Sequence, residues 1–161
     1  MRDRNIIILL WSLPIALSLH VFEEFAFPGG LKQWIKVNKP RKPKSDFYYF
    51  IVNAVGIVGA TIIALKASDH SDFCFYLCFV AFMAGNTASH IRGTIQKKQY
   101  CPGTASGVLL LLPLFVISYW YFLGTGKVRL PSAIVYICVG IVLGFYVFGM
   151  DIRKRDRQLK N

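Results

Sequence analysis

A histidine and two glutamates stand together near the end of the first apolar segment of this chain, in the stretch LHVFEEF that contains His20, Glu23 and Glu24. On a helix with 3.6 residues per turn, the three side chains fall within an arc of about 100°. Imidazole and carboxylate groups bind zinc, iron or manganese, and they also serve as general acids and bases. Because ionisable groups are costly in apolar segments, this stretch is the first candidate for a chemical site.

A second polar pair, Asn86 and His90, lies near the end of the third apolar segment, in GNTASHIR. Four residues apart on a helix, the two side chains point within about 40° of each other. Asn53 lies within the second segment, and the polar loop QYCPGTAS leads into the fourth. We expect these groups to converge with LHVFEEF on one polar site.

Five long apolar blocks must position these residues. The chain has 161 residues, of which 55% are hydrophobic. The blocks cover about residues 5–25, 47–65, 73–91, 106–123 and 131–150. Each block is long enough for a helix to cross about 30 Å of hydrocarbon, and none shows the polar and apolar alternation of a membrane strand. The sequence predicts an all-α, five-span transmembrane helical bundle in residues 1–150, followed by a basic tail at 151–161.

The basic residues are distributed unevenly between the two sides of such a bundle. Five spans place the termini on opposite sides, and fourteen of the 19 Lys and Arg fall on the side of the C-terminus. Because cytoplasmic segments are enriched in Lys and Arg, we expect the N-terminus outside and the C-terminus in the cytoplasm. The net charge of +11 then attracts anionic lipid headgroups, and we expect membrane lipids rather than nucleic acid as partners.

This topology places the polar residues of four spans at the cytoplasmic face, an agreement that scattered helix-end polarity would not require. The first cytoplasmic loop reads GGLKQWIKVNKPRKPK, with Leu31 and Trp34 among lysines, which is typical of a short interfacial segment. Pro40 and Pro43 are expected to end any helix there.

The order of these motifs resembles the HXXEE family of small bacterial and archaeal integral membrane proteins. The motif that names the family is formed here by His20, Glu23 and Glu24. A second family motif, an asparagine and a histidine four residues apart, corresponds to Asn86 and His90. The resemblance implies a multi-pass protein of a prokaryotic cytoplasmic membrane and a shared site, and it carries no established activity.

A third motif of the family, a tyrosine-x-proline-glycine followed by a small hydroxyl residue, corresponds to Tyr100, Pro102, Gly103 and either Thr104 or Ser106. The Pro-Gly pair predicts a tight turn that folds over the polar pocket. One of the two hydroxyl groups is expected to cap the fourth span. The positive helix start would then either attract an anionic group of a substrate or form an ordinary cap.

The chemistry that fits these groups is that of a small membrane enzyme acting on a lipid-like substrate. We expect His20, Glu23 and Glu24 to be catalytic, and the same residues with His90 to hold a divalent metal ion such as zinc, iron or manganese. The residues expected to support the ligands or to contact the substrate are Asn53, Asn86, Arg92, Tyr100, Pro102, Gly103, Thr104 and Ser106.

Several other functions fit the same residues. Without metal, Glu24 and His20 can act as general acid and base. The cluster also fits a non-enzymatic ligand-binding protein or a proton-coupled transporter. It fits a structural role as well, in which the glutamates pair with Lys32, Arg92 or Lys97. Only three histidines are present, and His70 among them is expected in an outer loop, so a histidine-rich membrane hydroxylase is excluded.

Cysteine and glycine patterns leave two further alternatives. Cys101 lies beside the site and can be a nucleophile, although the resemblance leaves its position unspecified. The other three cysteines fall in the outer halves of spans three and five, where small apolar packing is expected. Gly140 and Gly144 form a small-xxx-small pair that fits either packing against another span or a homodimer.

Overall fold

The computed structural model describes residues 4–26, 29–38, 44–70 and 72–158, and within these ranges all side chains except those of His70 and residues 148–158. The described residues form helices and no β-strand. The predictions made for Pro40, Pro43, the side chain of His70 and the side chains of the basic tail lie outside the described residues.

The helices follow the predicted blocks. They are α1 (Arg4–Ala26), α2 (Gly30–Asn38), α3 (Asp46–His70), α4 (Cys74–Lys97), α5 (Thr104–Ser106), α6 (Leu112–Gly124) and α7 (Leu130–Gln158), and a π-helical segment, Gly107–Leu111, joins α5 to α6. Five stretches of the described residues are long and apolar enough to cross a membrane, which confirms the predicted number and order of the apolar helices. The observed α4 runs past the predicted end at residue 91 to Lys97, and α7 continues into the basic tail.

The apolar helices keep many large side chains on the outside of the bundle. Phe22, Val55 and Trp120 are 69%, 66% and 76% exposed, on three different helices. A helix that is apolar on all sides needs an apolar environment around it, and patches of this extent are rare on proteins surrounded by water. The molecule is therefore compatible with an integral membrane protein. Which end of the bundle faces the cytoplasm stays a prediction.

Helix α4 is the most buried of the long helices and lies in the middle of the bundle. It packs against α7 along much of its length and contacts α3, α6 and the π-helical segment. The close approach to α7 depends on Gly140 and Gly144: a Cβ atom at these positions would lie 2.5 Å from the carbonyl oxygen of Cys78 and 2.4 Å from that of Phe82. The two glycines thus pack against another span of the same chain.

Hydrogen bonds connect α1, α4 and α6 at the end of the bundle opposite the polar site. The Tyr76 hydroxyl donates to the Leu9 carbonyl oxygen at 2.9 Å and lies 2.9 Å from the Ser118 hydroxyl. The Tyr119 hydroxyl donates to the Leu77 carbonyl oxygen at 3.1 Å. Because a buried polar group is costly without a partner, these bonds fix the relative positions of α1, α4 and α6.

Candidate metal centre

Three of the predicted metal ligands meet between α1 and α4. The ligand atoms of His20, Glu24 and His90 all lie within 4.8 Å of one another, and all three residues are buried. His90 Nε2 is 3.2 Å and His20 Nε2 is 3.6 Å from the same carboxylate oxygen, Glu24 Oε1. Two imidazoles and a carboxylate contributed by facing helices are the arrangement found at metal sites of helical bundles.

The His20 ring is held on both sides. Its Nδ1 lies 3.0 Å from the Ser106 hydroxyl, and its Nε2 lies 3.2 Å from the Asn86 amide nitrogen, which can only donate. This contact makes Nε2 an acceptor and leaves the ring proton on Nδ1, so a metal ion bound at Nε2 would take the place of the Asn86 amide. An anchored Nδ1–H group is the usual arrangement behind a metal-binding histidine.

Asn86 carries an acceptor that nothing satisfies. Its side chain is 3% exposed, and its carbonyl oxygen Oδ1 has no hydrogen-bond partner among the described residues. A buried polar atom without a partner costs about 1–3 kcal/mol. Because the amide nitrogen of the same group contacts His20, an oxygen that can coordinate a cation or accept a hydrogen bond lies close to the three ligands.

The His90 ring is packed from the opposite side. Its Nδ1 lies 3.4 Å from the thiol of Cys101, which is buried. The rings of His20 and His90 meet edge to face with centroids 5.2 Å apart. A Cβ atom at Gly103 would lie 2.9 Å from Cε1 of each ring, so only glycine allows the backbone to cover both imidazoles. The predicted turn over the pocket is therefore present, and it rests directly on the two rings.

Glu23 lies outside this cluster, and its carboxylate accepts hydrogen bonds from the start of α5 instead. Its carboxylate accepts the backbone N–H groups of Gly103 at 2.8 Å and of Ser106 at 2.6 Å, and also the Tyr100 hydroxyl. The expectation that Thr104 or Ser106 caps the fourth span through its hydroxyl is wrong, because α5 has no capping bond from such a side chain. The positive helix start, proposed above as a place for an anionic substrate group, is occupied by the Glu23 carboxylate.

Tyr100 in the turn binds Glu23, and Thr94 on α4 holds the turn itself. Burial and the hydrogen bond to Glu23 raise the pKa of the Tyr100 hydroxyl, so Tyr100 remains a protonated donor at neutral pH. Thr94, which the sequence analysis missed, accepts the Cys101 backbone N–H at 3.0 Å and lies 3.1 Å from the Thr104 hydroxyl. The signal for Thr94 was its position four residues after His90, on the same helix face.

Some of the remaining residues that the sequence predicted at the site lie close to the cluster, and others lie away from it. The Asn53 amide reaches toward Glu24 Oε2 at 3.5 Å, and Pro102 is buried in the turn beside the rings. Arg92 is exposed instead of facing the cluster. Lys32, weighed above as a partner for the glutamates, forms its ion pair with Asp46 at 2.6 Å.

The sequence matches a family described as proteins of unknown function with an HXXEE motif over residues 11–121, a segment that includes every member of the cluster and the covering turn. No curated protein and no solved structure matches the chain. Because the match spans well over half of the 161 residues, the chain belongs to the HXXEE family.

Proposed function

We propose that this protein is a metal-dependent enzyme of a prokaryotic cytoplasmic membrane that acts on a lipid-like substrate. The observation that carries the proposal is the group formed by His20, Glu24 and His90, three buried residues with ligand atoms within 4.8 Å of one another. Burying two imidazoles against a carboxylate is costly unless the groups are paired or bind an ion. The five apolar helices are long and apolar enough to cross a bilayer, which would be the source of such a substrate.

A divalent ion would be held by His20 Nε2, His90 Nε2 and a Glu24 carboxylate oxygen. Zinc, iron and manganese all accept this combination of ligands. Three protein ligands leave a coordination position open, as catalytic metal sites require. An ion there either lowers the pKa of a bound water for hydrolysis or binds oxygen for oxidation. Oδ1 of Asn86, which has no partner among the described residues, could coordinate the ion or accept a hydrogen bond from its water.

A second candidate is acid–base chemistry without metal, such as an isomerisation of the lipid. The observation in its favour is the 3.2 Å contact between His90 Nε2 and Glu24 Oε1, which is the length of an ordinary hydrogen bond. In that state Glu24 and His90 share a proton and exchange it with a substrate.

The two candidates differ in metal content. We would measure zinc, iron and manganese by mass spectrometry in protein purified in detergent without chelator, beside His20→Ala and His90→Ala. Neighbouring glutamates provide a matched pair: Glu24→Gln removes a ligand, whereas Glu23→Gln removes only the carboxylate at the start of α5. Thermal unfolding of each variant distinguishes loss of metal from loss of fold.

We expect close to one metal ion per chain in the natural protein and in Glu23→Gln, and at least a tenfold loss in the other three variants. Glu23→Gln should instead lower the unfolding temperature, because a charge-assisted bond to a backbone N–H contributes about 1.5–3 kcal/mol. Absence of metal from the natural protein after reloading with each ion would overturn the metal mechanism and favour acid–base chemistry. Equal metal loss in both glutamate variants would contradict the separate role of Glu23.

A further inference from the structure

The cleft beside Glu24 extends the metal centre toward the lipid. We infer that this cleft, between α1, α2 and α3, binds the head of a long-chain alcohol that enters from the bilayer. The inference rests on the proposed function, since it names the class of substrate that reaches the His20, Glu24 and His90 group.

The cleft lies where the end of α1 meets the starts of α2 and α3. It encloses about 150 Å³, and its polar lining residues are Glu24, Lys32, Asp46, Tyr49 and Asn53. One bound water needs about 10–15 Å³ of such volume, so the cleft has room for a small polar head. Gly30 forms part of its wall at positive φ, and a Cβ atom there would lie 2.9 Å from the Glu24 carbonyl oxygen.

Glu24 connects the cleft to the metal centre because its two carboxylate oxygens face different neighbours. Oε1 lies against the two imidazoles, at 3.2 and 3.6 Å. Oε2 receives the Asn53 amide at 3.5 Å, beyond the usual range of about 2.7–3.2 Å. Oε2 therefore keeps the capacity to accept a hydrogen bond from a ligand in the cleft. A hydroxyl group suits this place, because it can donate to Oε2 and accept from the Asn53 amide.

The charges of the lining select against an anionic head. Lys32 and Asp46 neutralise each other at the mouth through their 2.6 Å ion pair. Lys32 is the only cation among the described residues that line the cleft, so a carboxylate or phosphate head would find no uncommitted positive charge in the lining. A neutral hydroxyl needs no such charge, which favours an alcohol.

The surroundings of the mouth supply a place for an apolar chain. Phe25, which lines the cleft, is 48% exposed, and Phe47 and Phe50 at the start of α3 are 72% and 60% exposed. Exposed aromatic side chains on the elements that border a polar cleft offer apolar surface for the chain of an amphiphile. A membrane alcohol can thus insert its head while its chain remains in lipid.

Photolabelling of the protein in lipid nanodiscs tests the inference without depending on activity. The probe is an eight-carbon alcohol with a diazirine on its third carbon, and labelled peptides are mapped by mass spectrometry. Asn53→Trp fills the inner end of the cleft, and Leu31→Trp fills it from α2. The matched control is Val55→Trp, on the same helix at a position that is 66% exposed. Metal content and unfolding temperature are measured for each sample.

We expect labelling within residues 24–26, 29–32 and 46–53 in the natural protein and in Val55→Trp, and at least a tenfold loss in a folded cleft variant. The corresponding eight-carbon acid and a three-carbon diazirine alcohol should label at least tenfold less. Equal labelling by the acid would overturn the neutral head, and equal labelling by the short alcohol would overturn entry from the bilayer. Cleft labelling in protein that retains no metal would reject the metal mechanism alone, whereas metal retention without cleft labelling would reject the cleft alone.

Discussion

At the scale of single residues, the two adjacent glutamates of the motif have different surroundings. Glu24 is buried against both imidazoles, whereas Glu23 accepts the backbone N–H groups at the start of α5. Neighbouring positions on a helix point about 100° apart, so one glutamate faces α4 and the other faces the covering turn. Gly103 lies where that turn meets both imidazole rings, and its φ of 94° is one that other residues rarely adopt.

Gly103→Ala should therefore disturb the metal centre as well as the backbone. The added Cβ atom would lie 2.9 Å from both rings, and positive φ alone costs a non-glycine residue about 1–2 kcal/mol. The control is Gly126→Ala, which has a φ of 67° but no heavy atom within 4 Å of the added Cβ. We expect both variants to unfold at lower temperature and only Gly103→Ala to lose bound metal, as measured by mass spectrometry. Metal loss of the same size in both would show that backbone strain accounts for the effect.

At the scale of helices, α4 is the helix against which most of the other helices pack. Its inner face carries Asn86 and His90 at one end and Tyr76 near the other, and α7 lies along it through glycine contacts. Close backbone approach allows extensive van der Waals contact, which is the main attraction between helices in lipid. The position of His90 on α4 consequently depends in part on a helix that contributes no residue to the cluster.

Gly140→Val should weaken this helix pair. Its Cβ atom would lie 2.5 Å from both the Cys78 carbonyl oxygen and the Ala81 Cβ, so α7 would have to move away from α4. Overpacking of this kind costs about 1–3 kcal/mol or more. Gly59→Val in α3 is the control, because nothing lies within 4 Å of its added Cβ. We expect a lower unfolding temperature for Gly140→Val only, measured in the same detergent. Equal unfolding temperatures for the two variants would contradict the tight α4–α7 contact.

At the scale of the whole molecule, five apolar helices bring the polar residues of α1, α3, α4 and the turn before α5 to one end of the bundle. The sequence predicts that this end faces the cytoplasm, because the basic residues are concentrated on its side. An inner position would expose the cleft beside Glu24 to the inner leaflet.

The orientation can be measured with reporter fusions. Alkaline phosphatase, which is active only outside the cytoplasm, should be inactive when fused after Asn161 and active when inserted between Gly126 and Lys127, in the loop before α7. Green fluorescent protein at the same two places should give the opposite pattern. Phosphatase activity at the C-terminus would reverse the predicted orientation and place the metal centre at the outer face.

The sequence by itself determined the five apolar helices and the polar motifs, because length, hydropathy and spacing are properties of each segment alone. It was enough to indicate His20, Glu23, Glu24 and His90 as candidate ligands, three of which the fold brings together. Only the tertiary structure decided that Glu23 faces α5, that Arg92 is exposed and that Gly140 packs within the chain. Helical periodicity gives the direction of a side chain on its own helix. What that side chain meets depends on the rotation and approach of the neighbouring helices, which distant contacts set.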